Sequence, residues 1–183
     1  MKNNYVAMFL VAFLSSIGPA HCRTLTAEAF LRDKASLITS EKNAETIVDS
    51  LMSYEDTTKS VLGETWDTMD VEKRTEFVKL FQRLLRKTIS RRLRVINESS
   101  VVWSGEEPCH THVIVHSTVI DHNEATSVDF VMKSPAIGVY KIDDVVILGS
   151  SMINTYRSNF RKVVNKSGID GLLQKLRAKA ASE

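Results

Sequence analysis

Residues 144–160, DVVILGSSMINTYRSNF, decide the fold. Val145, Val146, Ile147 and Leu148 read as the end of a buried strand, and Gly149 offers a backbone able to turn sharply. Ser150 or Ser151 can then cap the first free amides of a helix carrying Ile153, Tyr156, Arg157 and Phe160. A strand that passes straight into an amphipathic helix ties a sheet to a helical layer.

Upstream of this junction the hydrophobic period changes from 3.6 to 2 near Arg94. Before it, helices are predicted over 26–32 and 38–54, the latter entered through Ser40 and Glu41, and over 58–69 with a break near Gly63. Asp70 should cap a long helix over 71–93, with Phe77, Leu80, Phe81, Leu84, Leu85 and Thr88 on one stripe. After Arg94, strands are predicted over 95–103, 110–120, 126–132 and 139–148, separated by turns at 104–108, 121–124 and 134–138. Turns this short join antiparallel neighbours. Helices over 152–165 and 169–178, interrupted at Gly168, close the chain. The expected class is α+β: N-terminal helices, a curved antiparallel four-stranded sheet, and C-terminal helices packed over one face.

The first twenty or so residues read as an export signal. Lys2 gives a positive start, Val6 to Leu14 is an unbroken apolar run, and Ser15, Ser16, Gly18, Pro19 and Ala20 form a small-residue cleavage region. That run falls short of the roughly 20 apolar residues a bilayer span needs. Residues 1–22 are therefore expected to be a signal peptide and 23–183 a single exported domain, about 160 residues being ample for one core. Cleavage after Ala20 would keep Cys22, free to pair with Cys109 in an oxidising compartment; cleavage after Cys22 would leave Cys109 alone. The residues do not choose between them.

Charge is unevenly placed around a formal net of +2. Residues 41–72 hold nine acids against two lysines, and residues 73–94 hold nine bases against Glu76. Two solvated helix faces attracting each other account for this; a basic face for anionic head groups or an acidic partner would as well. Export and the absence of aromatics among the arginines argue against nucleic acid.

Several segments carry a family resemblance. Val61-Leu62-Gly63 precedes Trp66; Phe77, Phe81 and Leu85 follow an F-x-x-x-F-x-x-x-L pattern; Tyr140-Lys141-Ile142 leads to Asp144-Val145. Gly149, Ser151, Tyr156, Arg157 and Phe160 form G-x-S followed by Y-R-x-x-F, and Gly168 stands before Leu172, Leu173 and Leu176. The ordered set resembles the MlaC-type phospholipid-binding family, with its toluene-tolerance and hopanoid-associated relatives. The resemblance implies a fold like nuclear transport factor 2 with a deep apolar cavity between sheet and helices, acyl chains inside and head group near solvent. It also implies periplasmic localisation and phospholipid shuttling between an outer-membrane lipoprotein complex and an inner-membrane ABC transporter complex. No cofactor is expected beyond phospholipid as ligand.

The chemistry suits such a role. Burying an acyl chain contributes about 0.8 kcal/mol per methylene, on the order of 10 kcal/mol for a dozen. The expected lining is Trp66, Phe77, Phe81, Leu84 and Leu85 from helices, Val113, Val115, Val128, Phe130, Met132, Val145 and Ile147 from alternate strand positions, and Ile153, Tyr156 and Phe160 from the helix after Gly149. A filled core would use the same residues. Arg157 is expected to pair with Asp143 or Asp144, or with a lipid phosphate. His110, His112, His116 and His122 occupy even positions of one segment; a solvent-facing row is expected and no metal site, since apart from Cys109 no acid or cysteine stands at ligand spacing to complete one. No catalytic residues are expected, since no Ser-His-Asp order or glycine-rich phosphate loop occurs. The competing expectation is a non-enzymatic periplasmic adaptor with a packed core and a basic docking face.

Overall fold

The computed structural model describes residues 25–38, 40–98 and 100–182. Helices α1 (Ala27–Ser36), α2 (Glu41–Leu51), α3 (Tyr54–Leu62), α4 (Glu64–Thr68) and α5 (Val71–Glu98) precede strands β1 (Ser100–Cys109), β2 (His112–Asp121), β3 (Glu124–Ala136), β4 (Val139–Ile147) and β5 (Ser150–Ser151). Helix α6 (Met152–Ser182) ends the chain and is bent at Gly168, whose φ of 66° and ψ of −177° leave the helical region.

Helices α1, α2 and α5 start at side-chain caps. Thr26 Oγ1 accepts from Ala29 N at 3.1 Å, and Ser40 Oγ from Asn43 N at 3.2 Å. Asp70 Oδ1 accepts from Lys73 N at 2.7 Å, so the expected cap of α5 forms. The break near Gly63 separates α3 from α4, with glycine at a φ of 55° that side chains oppose.

The sheet is open and antiparallel, in the order β1-β2-β3-β4-β5. Five strands stand where four were expected. The additional strand, Ser150–Ser151, folds back on β4 so that Ile147 faces Ser150 and Val146 faces Ser151. The turn is thus two residues, Leu148 and Gly149, both at positive φ (49° and 76°), and the serines read as helix caps also belong to the ladder. β1 also departs from expectation. Residues 95–98 continue α5, and β1 runs through the stretch 104–108 predicted as a turn. Gly105, at a φ of 102°, absorbs a register slip between Trp103 and Glu106, so the glycine signal marks a bulge within a strand.

One face of the sheet buries Val115, Ser117, Val119, Val128, Phe130, Met132, Ile142 and Val145 under the helices. On the helical side, Phe77, Phe81, Tyr156 and Phe160 form a knot of rings, with centroids 5.2 to 5.9 Å apart and several edge-to-face contacts. Leu172, Leu173 and Leu176, beyond the Gly168 bend, join the same core. At the outer seam of α5 and α6, Arg177 clasps Glu76 through two bonds of 2.6 and 2.7 Å, and Lys73 meets Asp170 at 2.8 Å.

Asp144 joins sheet to helix. Its Oδ1 accepts from Val145 N at 2.8 Å and Ile153 N at 3.0 Å, and its Oδ2 accepts from Ser151 Oγ. Ser151 Oγ in turn accepts from Asn154 N at 3.0 Å, which makes it the cap of α6. Replacing Asp144 with Ala removes an acceptor from half-buried donors. The unfolding free energy in urea should fall by about 2 kcal/mol, and an effect below about 0.5 kcal/mol would remove this residue from the junction.

Candidate functional site

Helix α1 packs on β1 and β2, and α2 packs on β4 and α5. Beneath them lies a cavity of ≈ 40 Å³. Its roof is Leu31, Ala35 and Ile38 from α1 and the residues after it, with Ile47, Val48, Leu51 and Met52 from α2 and its end. Ile89 of α5 closes one side; Val101, Trp103, Ser117, Val119, Phe130, Ile142 and Val145 form the floor on β1 to β4. Ser117 brings the one hydroxyl, which donates to Val128 O at 2.7 Å, and Trp103 the one indole N–H. The walls are therefore almost wholly apolar: they suit an alkyl chain and carry no ionisable group for binding charge or for acid–base chemistry.

Polar ties hold the roof at its edges. Glu106, turned to the helix side after the Gly105 bulge, accepts from Glu28 N in the first turn of α1 at 2.7 Å. Tyr140 donates to Leu25 O at 3.0 Å while its ring meets Phe30 at 5.5 Å. The Arg32 guanidinium bonds Glu28 and lies 5.9 Å over Trp103, which itself stacks on Phe130 at 6.3 Å. For α2, Asp49 takes two bonds from Arg86, at 2.9 and 2.7 Å, and one from Tyr54 Oη at 2.6 Å. The Asp49 bond raises the Arg86 pKa, and burial together with Asp49 pushes the Tyr54 phenol far above its usual value, so the hydroxyl remains a donor. Here the acidic and basic stretches seen in the sequence meet.

Of the residues expected to line a cavity, Phe130 and Val145 line this one, and Phe160 borders a second groove described below. Phe77, Phe81, Tyr156 and Phe160 instead fill the space between α5 and α6 with one another's rings, and Leu84, Leu85, Val115, Val128, Met132 and Ile153 are buried in the core beside them. Val113 and Ile147 are half-buried against that core. Trp66 is likewise half-buried against it, with the Lys59 ammonium at 5.7 Å and the Arg74 guanidinium at 5.3 Å from its ring. The aromatic stripe is therefore packed ring on ring, and the apolar cavity described above lies under α1 and α2. Residues such as Leu31, Ile38, Val48 and Leu51 read as an ordinary amphipathic face, since periodicity shows that a face is apolar and not what it covers.

The expected pairing of Arg157 with Asp143 or Asp144 is not formed. Asp144 is occupied by the α6 start, and Asp143 faces His112 Nε2 at 3.2 Å and Lys133 at 3.3 Å. Arg157, one turn into α6, donates to Ser60 O from Nε at 2.9 Å and Nη2 at 2.6 Å, and to Asn154 Oδ1 at 2.9 Å, locking α6 onto α3. Beside it a second groove, of ≈ 270 Å³, runs between the Gly63 corner and α6 and is bordered by Arg157, Arg161 and Glu64. It is the larger space, but its charged border suits solvent better than hydrocarbon, so the smaller apolar cavity is the candidate site.

His116 Nδ1 lies 2.9 Å from Asp129 Oδ1, and with His112 it sits on the sheet face opposite the cavity. Among the described residues no group of three His, Cys, Asp or Glu side chains is placed to hold a metal ion, and no helix is long and apolar enough to cross a membrane. Cys109 is a free thiol among these residues; Cys22, the signal segment and its cleavage lie outside them.

Three comparisons bear on this geometry. A family model described as MlaC protein matches residues 27–178. Among solved structures, a phospholipid-binding protein from Ralstonia solanacearum in complex with a phospholipid superposes with a TM-score of 0.66 at 24% identity, covering 82% of this chain and 87% of that one. At this identity the likeness is one of fold. A search of curated proteins finds no match.

Replacing Arg157 with Ala should lower unfolding free energy by about 1 kcal/mol, and Lys at the same position should restore less than half of it, because an ammonium cannot reproduce the two-pronged contact with Ser60 O. Full rescue by Lys in thermal or urea unfolding would reduce the interaction to charge alone.

Proposed function

Since this chain belongs to the MlaC family, we propose that it binds phospholipid, with hydrocarbon between the α1–α2 roof and the sheet and the head group at the edge of the roof. The observation carrying this reading is the cavity wall itself: apolar surface from seven elements, with its single hydroxyl internally satisfied. The described space is ≈ 40 Å³, against roughly 300–1,000 Å³ for sites that enclose organic ligands. Accommodating a chain therefore requires α1 and α2 to move off the sheet. Each methylene transferred from water contributes about 0.8 kcal/mol toward that movement.

The same reading takes residues 1–22 as an export signal and 23–183 as one lipid-binding domain working in the periplasm. It assigns the chain a fold of the nuclear transport factor 2 kind and a shuttle role, without catalysis, between an outer-membrane lipoprotein complex and an inner-membrane ABC transporter complex. The likeness to a lipid-bound protein of the same fold supports the binding step. The small volume favours a second reading, an adaptor with a packed core and a basic docking face.

Organic extraction of the purified exported protein followed by mass spectrometry should recover phospholipid. Ala35→Leu, which adds bulk to the cavity from α1, should lower recovery several-fold at a stability cost of about 1–3 kcal/mol in urea unfolding. An extract free of lipid from the unmodified protein would support the adaptor instead.

A further inference from the structure

The bases concentrated in α5 are largely committed inside the fold. Lys73 pairs with Asp170 at 2.8 Å, Arg74 donates to Trp66 O and Asp67 O, both at 2.9 Å, and Arg86 holds Asp49. Lys79 and Arg83 are exposed but border neither the apolar cavity nor the groove beside α6. The arginines that border that groove are Arg157 and Arg161, one turn apart on α6. Neither pairs with a carboxylate among the described residues, although Glu64 borders the same groove. Arg157 is fixed by its three bonds to Ser60 O and Asn154 Oδ1, which leave two of a guanidinium's five N–H groups free. Arg161 is exposed and makes no polar contact among the described residues.

The floor between these charges is apolar. Val61, Leu62 and Phe160 are buried there, with half-buried Val164 beside them. No residue borders both this groove and the cavity under α1 and α2. Phe160 is backed by Phe77 and Phe81, so the groove ends on packed rings. An acyl chain entering here would keep most of its length in water and lose the transfer free energy that burial supplies. The volume of ≈ 270 Å³ lies just under the roughly 300–1,000 Å³ of sites that enclose whole organic ligands. It suits a side chain or two of a molecule whose bulk stays outside.

An occupant must answer three features at once: guanidinium groups without a carboxylate, an apolar floor, and the exposed Glu64 carboxylate, which only accepts hydrogen bonds. An inorganic anion answers the first and is repelled by the third. A polypeptide with an apolar side chain beside an aspartate or glutamate answers all three, its backbone N–H groups supplying donors for Glu64. We infer that this groove docks an acidic segment of a protein partner. An apolar anchor side chain lies on Val61, Leu62 and Phe160, and a neighbouring carboxylate bonds Arg161 with Arg157 beside it. Because Arg157 is already held, binding costs it little further loss of side-chain freedom. The inference goes beyond the lipid reading and holds for shuttle and adaptor alike. It puts the contact on α6, away from the basic stretch of α5 that charge counting alone would choose.

The test titrates the full exported protein into a fluorescein-labelled peptide of alternating glutamate and leucine, blocked at both ends, and reads fluorescence anisotropy. Binding should saturate, and glutamine for glutamate in the peptide, or Arg161→Gln in the protein, should each weaken it about tenfold. Arg161→Glu should reverse the preference, so that a lysine–leucine peptide binds it more tightly than the glutamate–leucine peptide. Both variants should unfold in urea as the unmodified protein does, since Arg161 holds nothing in the described fold. No saturable binding up to about 1 mM, or binding that Arg161→Gln leaves unchanged, overturns the docking site. Displacement of the peptide by phosphatidylglycerol vesicles or by inorganic phosphate overturns the protein partner, in favour of a lipid head group or a simple anion. Lipid recovery from Arg161→Gln should match that of the unmodified protein, and a fall in it would contradict the separation of groove from cavity.

Discussion

The helix-facing side of a five-stranded open sheet is apolar across its width and must be covered, and this chain covers it from both ends of its sequence. Helices α5 and α6 do so with interlocked rings and a capped strand–helix junction. Helices α1 and α2 do so with aliphatic side chains that stop short of filling the gap, held in place by hydrogen bonds around the perimeter. Tight packing on one side and loose packing on the other follow from side-chain shape. Phe and Tyr rings tile edge to face, whereas Leu31, Ile47, Val48 and Leu51 meet a floor already occupied by the Trp103–Phe130 stack.

This asymmetry links the fold to a binding role. A cavity with a single, internally bonded hydroxyl suits hydrocarbon, because most donors or acceptors brought into it would lose their water without a replacement. Arg32, Glu28 and Glu106 form a polar cluster beside Trp103 at the α1 side. Exposed ion pairs such as Arg177–Glu76 add modest stability, but they place the fastening at the seam where α5 and α6 would otherwise part.

Much of the architecture was legible from residues alone. The stripe from Phe77 to Leu85, the caps at Ser40 and Asp70, the Gly63 and Gly168 breaks and the passage from β4 into α6 all appear where local chemistry requires them. What escaped has physical reasons. Val95 and Ile96 satisfy a strand period as readily as the last turn of a helix, so the start of the sheet was placed early. Gly105 beside Glu106 and Pro108 resembles a turn, and only pairing with β2 turns it into a bulge. The cavity was the least legible feature, since Phe81 facing a lipid and Phe81 facing Phe160 share one periodicity. The Arg157 contact with Ser60 O, 97 residues away in sequence, carries no local signal.

The most direct test of the account is photo-crosslinking with a phospholipid bearing a diazirine near the end of its acyl chain, followed by peptide mapping. The account predicts labelling of peptides from α1, α2 and β1, containing Leu31, Ile38, Val48 and Trp103. Labelling concentrated instead on Phe160 and Val164, in the groove beside Arg157 and Arg161, would place the hydrocarbon on the wrong side of the molecule and contradict it.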